Sequence, residues 1–310
     1  MIVVGVDGSA AGLEAAGWAA REAVLRESPL RLVHVIPHWV SAMHNDAPFG
    51  EVGRWMRAGA ESVLRDAVEF VREEWPAVEL TVETVFGDSR RALIDESHVA
   101  DLLVVGNHGI GGFRGLLVGS VAIGVAGRTH CPVGVVRSGA STARGELLVG
   151  MDGSQGSLGA AAFAFAEAAL RGAGVRAVHV VPRLPRTIED LAAAQEEEGG
   201  VVVLRGRRER RAMAERAART AVAEHLAMLS ARYPEVPLTE REAEGHPAEV
   251  LSEVSASAQL LVVGSRGRGG FSGLLLGSVT HALLHHVRCP LVIVPTTTDQ
   301  EAESPAQTAE

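Results

Sequence analysis

The stretch "VVGNHGIGGFRGLLVGS" (104–120) occurs a second time, as "VVGSRGRGGFSGLLLGS" (262–278). Gly106, Gly109, Gly119 and Ser120 recur as Gly264, Gly267, Gly277 and Ser278, each 158 residues further on, and Cys131-Pro132 recurs as Cys289-Pro290 at the same spacing. The openings repeat as well, "VVGVDGS" (3–9) and "LVGMDGS" (148–154), here 145 residues apart, so the second copy carries 13 extra residues in its middle. Two domain-sized copies make a tandem duplication; solenoid repeats are much shorter, at roughly 20–50 residues. The expected domains are 1–140 and 145–296, with a polar, disordered tail over 297–310.

Each copy alternates strand and helix. In the first, apolar and β-branched runs at 2–7, 30–37, 78–86, 101–106 and 132–137 read as strands. A helix capped by Ser9 places Leu13, Ala16, Ala20 and Val24 at helical spacing. A long helix over 55–75 carries Ala60, Val63, Ala67, Phe70 and Val71 on one face, a short one covers about 90–98, another starts at Ser120, and 38–54 reads as a loop. The second copy repeats the order, with strands at 146–151, 175–181, 236–243, 259–264 and 290–294 and helices at 156–171, 207–231, 247–257 and 278–287. Continuous apolar strands are covered on both faces, which predicts a mainly parallel α/β sheet with helices on each side. Such sheets bind ligands beyond the carboxyl ends of their strands. The extra residues fall near 183–206, where an acidic run, "TIEDLAAAQEEEGG", precedes a basic one, "RGRRERR". They read as a solvated helix–loop–helix extension.

The glycines after the buried strand let the backbone approach a ligand closely, and successive amides there can form an anion nest. The loop glycines are Gly106, Gly109, Gly111 and Gly112 in one copy and Gly264, Gly267, Gly269 and Gly270 in the other. Gly119-Ser120 and Gly277-Ser278 stand where a helix begins, so free amides, the helix dipole and a hydroxyl converge. All 29 basic residues are arginine, so this is a phosphate site built without lysine. The phosphate-loop motif fails for that reason, and so does Schiff-base chemistry. The dinucleotide fingerprint fails too: its last position falls on Arg114 or on Ser272. Asp7 and Asp152 end the first strand of each copy at the same sheet edge. Such a carboxylate can accept ribose hydroxyls, help to hold a divalent cation, or organise its own "DGS" turn.

Other features exclude more than they suggest. A net charge of −9 argues against nucleic acid and anionic membranes as partners. No run approaches the ~20 apolar residues of a membrane span, and the first residues enter a strand without a signal-peptide core, so a soluble cytoplasmic protein is expected. Cys131 and Cys289 are too few and too far apart for a disulfide framework or a zinc site. His281 and His285 stand at i and i+4 without a third ligand and read as helix-surface residues, while His34 and His179 read as hydrogen-bonded strand residues.

The pattern G-2x-G-9x-G-[ST], with "VVGVDGS", "LVHVIP" and "CPVGVV", resembles the universal stress protein family in its tandem form, over nearly the whole chain except the insert and tail. The resemblance implies two doubly wound, Rossmann-like domains, each a five-stranded parallel sheet of order 3-2-1-4-5, whose last strands pair across a pseudo-twofold axis. It implies ATP binding, with Mg2+. Asp7 and Asp152 would then hold ribose, Gly5 and Gly150 would line the pocket, and the backbones of Val35 and Val180 would meet adenine. The loop glycines would approach ribose and phosphates, and Gly119-Ser120-Val121 and Gly277-Ser278-Val279 would hold the outer phosphates. Arg266 and Arg268 would neutralise a triphosphate where the first copy has His108 and Ile110, so tighter ATP binding is expected in the second half. Related domains often have Gly-x-Pro before the third helix. The second half keeps it in "GHPAEVL", whereas Ser89 replaces the proline in "GDSRRAL", so a looser helix start is expected there.

The resulting functional expectation is a nucleotide-dependent stress sensor or regulator. Its expected partners are an adenine nucleotide, the other half of the chain, a second chain in a homodimer, and a protein the sequence does not name. Two readings compete with it. One is a slow ATPase, for which the sequence assigns no catalytic residue; the other is a carrier preferring AMP or cAMP.

Overall fold

A computed structural model of the chain describes residues 1–42, 50–109, 118–137, 139, 145–181, 201–268 and 275–296. The first half runs β1 (Ile2–Gly5), α1 (Ala10–Leu25), β2 (Leu30–Ile36), α2 (Gly50–Glu74), β3 (Leu80–Phe86), α3 (Ser89–Glu96), β4 (Leu102–Gly106), α4 (Ser120–Val125) and β5 (Val133–Val136). The second runs β6 (Leu147–Met151), α5 (Gln155–Arg171), β7 (Val175–Val181), α6 (Val201–Arg232), β8 (Leu238–Glu244), α7 (Pro247–Val254), β9 (Leu260–Gly264), α8 (Ser278–His286) and β10 (Leu291–Val294).

The strands form one ten-stranded sheet of order β3-β2-β1-β4-β5-β10-β9-β6-β7-β8. Each half is parallel and has the order 3-2-1-4-5. The seam is antiparallel, with Val133 opposite Ile293 and Val135 opposite Leu291. The halves are thus an intramolecular pseudo-dimer. Their strands run in opposite directions, so the carboxyl ends of the two halves face opposite rims of the sheet.

Alternate strand residues feed two cores, as a side-chain period of two requires. Ile2, Val4, Leu102 and Val104 pack with Phe165, Leu226 and the alanine-rich faces of α1 and α5. Val3, Leu103 and Val105 pack on the other face with Leu251, Leu283 and Leu284. At the seam, a Cβ on Gly134 would stand 2.8 Å from the Trp18 ring, so the missing side chain lets that indole lie on β5.

Over the seam, α1 and α5 share a buried ring of four charges. Glu22 accepts from Arg26 and from Arg171, each at 2.5 Å, and Glu167 accepts from the same two arginines. The four side chains are between 0 and 14 % exposed. Burial works against the Arg171 charge, but Glu22 and Glu167 outweigh it and raise its pKa.

Four local expectations need correction. The loop expected over 38–54 contains a 3-10 turn at His38–Val40 and the first turn of α2, which already starts at Gly50. The helix expected over 207–231 starts at Val201, so the basic run lies inside α6; the rest of the expected helix–loop–helix extension, residues 182–200, and the 297–310 tail lie outside the described residues. The strand expected over 2–7 ends at Gly5, because the chain turns through Gly8 at φ +85° into α1.

The fourth concerns α3, whose start is not loose. The Asp88 carboxylate accepts from the amides of Arg90 and Arg91 at 3.0 and 3.1 Å. In α7, Pro247 occupies the first turn and His246 makes no side-chain cap. One half caps its helix with a carboxylate and the other presets the backbone with a ring. Asp88→Ala should therefore cost about 0.5–2 kcal/mol of stability, measurable by urea unfolding, whereas His246→Ala should cost little.

Candidate nucleotide-binding sites

Each half opens a cavity at the carboxyl ends of its strands, of about 310 Å³ in the first half and about 410 Å³ in the second. Gly5, Asp7, Val35, Gly106, Gly109, Gly119, Ser120 and Val121 all line the first. Gly150, Asp152, Val180, Gly264, Arg266, Gly267, Arg268, Gly277, Ser278 and Val279 all line the second. Gly111, Gly112, Gly269 and Gly270 lie outside the described residues.

The turn reading of the aspartate holds for one carboxylate oxygen in each half. Asp7 Oδ1 accepts from the Ser9 amide at 3.0 Å and its hydroxyl at 2.6 Å, which organises the turn. Asp152 Oδ1 does the same with Ser154, at 2.9 and 2.6 Å. The Oδ2 atoms face the glycine loops. A Cβ on Gly109 would stand 2.5 Å from Asp7 Oδ2, and one on Gly267 would collide with Asp152 Oδ2 in the same way. Gly106 and Gly264 line the cavities and also carry a packing constraint. A Cβ there would stand 2.8 Å from the Ala11 carbonyl carbon or 2.5 Å from that of Gly156, so these glycines let α1 and α5 lie against the strand ends. Gly5 and Gly150 make room for Leu93 and Leu251, 3.0 Å from the position a Cβ would take.

One hydrogen bond closes the base of each loop: the Gly119 amide donates to Asn107 O at 2.6 Å, and the Gly277 amide to Ser265 O at 2.8 Å. Gly119 and Gly277 are the N-caps of α4 and α8, and no side chain caps either helix. His34 and His179 donate through Nδ1 to Val6 O and Met151 O, at 2.7 and 2.8 Å, as expected of strand residues.

The sequence profile of the universal stress protein family matches residues 1–137 and 144–295. The chain belongs to that family. Two universal stress proteins of Mycobacterium tuberculosis strain H37Rv are each 36 % identical over 305 residues, which cover 94 % of this chain and 96 and 95 % of theirs. A crystal structure of a universal stress protein from Archaeoglobus fulgidus shares the fold at a TM-score of 0.64 and 18 % identity, over 95 % of this chain and 98 % of that one.

Several site residues of this universal stress protein escape a motif-based reading. Leu93 and Leu251, and Ser89 and Pro247, face the cavities as pairs at the 158-residue spacing, which is the signal that could have found them. Thr280 replaces Ala122 and donates to Gly264 O at 2.8 Å. The largest departure is Glu215 on α6. Its Oε2 accepts from Arg268 Nη2 at 3.0 Å and its Oε1 lies 2.6 Å from His179 Nε2. Arg268 also donates from Nη1 to Ala214 O and from its amide to Asp152 Oδ2, both at 3.0 Å. The guanidinium expected on a triphosphate is thus engaged by α6.

Burial opposes ionisation of Asp152, but the Ser154 hydroxyl and amide, the Arg268 amide and Ser157 outweigh it and hold the carboxyl below its ordinary value. The folded value lies under the unfolded one. The ionised form therefore contributes stability above the unfolded pKa, and that contribution fades as pH falls through the folded pKa. Asp152→Asn should be less stable than the parent at neutral pH, and the gap should close below about pH 4, as thermal melting across pH would show.

Each last helix ends against the other half. Gly127, at φ +81° just after α4, packs on the carbonyl of Leu275, beside Leu276 of the second cavity. Arg137 donates to His285 O at 3.0 Å at the end of α8. The His285 ring is held below its ordinary pKa by burial, then by His281, His286, Arg137 and His108 of the first loop. Both cysteines are free and buried, and burial pushes their thiols up to about 12, which leaves them unreactive. Among the described residues no three His, Cys, Asp or Glu side chains gather as a metal site, and no helix is long and apolar enough to cross a membrane.

Proposed function

We propose that each cavity binds an adenine nucleotide, that ATP with Mg2+ is the physiological ligand, and that the chain acts as a nucleotide-dependent stress sensor or regulator. The observation carrying this reading is one arrangement built twice: an aspartate pinned through Oδ1, with Oδ2 turned to a glycine whose missing Cβ keeps the space open. In it, Oδ2 of Asp7 or Asp152 accepts ribose hydroxyls over a floor of Gly5 or Gly150. The backbones of Val35 and Val180 meet adenine. The loops of Gly109, Gly111 and Gly112 and of Gly267, Gly269 and Gly270 surround the phosphates. Ser120-Val121 and Ser278-Val279 take the outer ones at uncapped helix starts. Each aspartate is pinned to its serine through Oδ1 and turned to ribose through Oδ2, so Mg2+ would arrive on the phosphates.

Signal output requires a surface whose two conformations differ in nucleotide affinity, read by a protein partner or a second chain. The test is the nucleotide released by heat from freshly purified protein, followed by calorimetric titration. Adenine nucleotide in the extract, or binding of up to two per chain, supports the reading; absence of both overturns it. Turnover above about 1 s⁻¹ would make the chain an ATPase instead.

A further inference from the structure

The two halves repeat the cradle but not the charges around it. Offset by 158 residues, the position of Glu215 on α6 is held in α2 by Arg57, which donates to Val40 O at 2.8 Å. The position of Arg268 is held by Ile110. The second half therefore gained a loop arginine and a helix glutamate that face each other, where the first half has neither.

Glu215 is anchored from two sides. His179, the residue before Val180, lies 2.6 Å from Oε1, and Arg268 occupies Oε2, with Arg219 Nε 3.9 Å from Oε1. Arg268 can turn to a terminal phosphate only by leaving both Glu215 and the Ala214 carbonyl. That move would leave the Glu215 carboxylate with His179 as its remaining close partner beside a polyanion, which is a like-charge cost as well as a lost pair. An adenosine monophosphate raises no such conflict, because its single phosphate needs no charge from that side.

Resting on the nucleotide reading above, we propose that Glu215 sets the phosphate preference of the second cavity: it sequesters Arg268 and so favours AMP over ATP there, while the first cavity carries no such restraint. Two sites of one chain would then read different phosphorylation states of the same adenine nucleotide. This reverses the expectation of tighter ATP binding in the second half.

The experiment is calorimetric titration of the full chain with AMP and ATP, in a Gly109→Val background that isolates the second cavity. Glu215→Gln keeps the shape and removes the charge. It should raise ATP affinity about tenfold and leave AMP within about twofold. Combined with Arg268→Ala, Glu215→Gln should give no such gain, because the freed arginine is what supplies it. Parallel changes for AMP and ATP in Glu215→Gln, or an ATP gain that survives the added Arg268→Ala, would overturn the proposal and leave nucleotide binding intact. A parent that binds neither nucleotide overturns both.

Discussion

Replacing Glu167 by alanine is expected to destabilise the chain by about 3–5 kcal/mol. The residue is one of two carboxylates shared by Arg26 and Arg171, and its side chain is 4 % exposed. Its removal leaves two buried guanidinium groups with Glu22 as the remaining carboxylate of the ring. Water cannot reach them well enough to compensate, so the loss exceeds that of a surface ion pair, roughly 0–1 kcal/mol. Glu22→Ala should cost a similar amount, and the double variant less than the sum, because both act on one network. Replacing all four residues by apolar ones of similar volume should restore most of the loss, since no charge is then left without a partner. Guanidinium unfolding of the full chain reads each of these, and an unchanged midpoint in Glu167→Ala would show that the ring contributes nothing to the seam.

Gly109→Val and Gly267→Val should each remove one nucleotide from the titration. The new Cβ meets the Oδ2 of Asp7 or Asp152, and that carboxylate cannot swing aside without giving up its bonds to Ser9 or Ser154. Overpacking of this kind costs about 1–3 kcal/mol, and when it falls on the ligand space it becomes a ~10- to 100-fold loss of affinity. Stoichiometry should fall from two to one in each single variant and to none in the double. Gly106→Val and Gly264→Val provide the contrast. Their side chains meet the backbones of α1 and α5, so they should lower the melting temperature, whatever happens to the ligand. Loss of binding in neither Gly109→Val nor Gly267→Val would remove the loops from the site.

Much of this was legible in the sequence because it was written twice. The 158-residue offset located both loops, apolar runs located the inner strands, because a strand buried on two faces has few residue types open to it, and alternation and the repeated order placed the largely exposed edge strands β3 and β8. The aspartates, loop serines and strand valines gathered as expected because each follows directly from a strand end. What escaped depends on side chains meeting across elements distant in sequence. Glu215 lies 53 residues from Arg268 on a helix rich in both acids and bases, where no motif singles it out. The Glu22, Arg26, Glu167 and Arg171 ring is visible as a 145-residue repeat only once α1 and α5 are known to cross the seam. Asp88 is a helix-start signal in its own right, since a carboxylate before the first turn accepts from its amides, and that cap makes up for the missing proline.

The reversal of strand direction between β5 and β10 places the cradles back to back. The carboxyl ends that hold them lie at opposite rims of one sheet. Whatever one half learns of the other must travel through protein, and α4 and α8 each start at one cradle and finish at the rim of its twin.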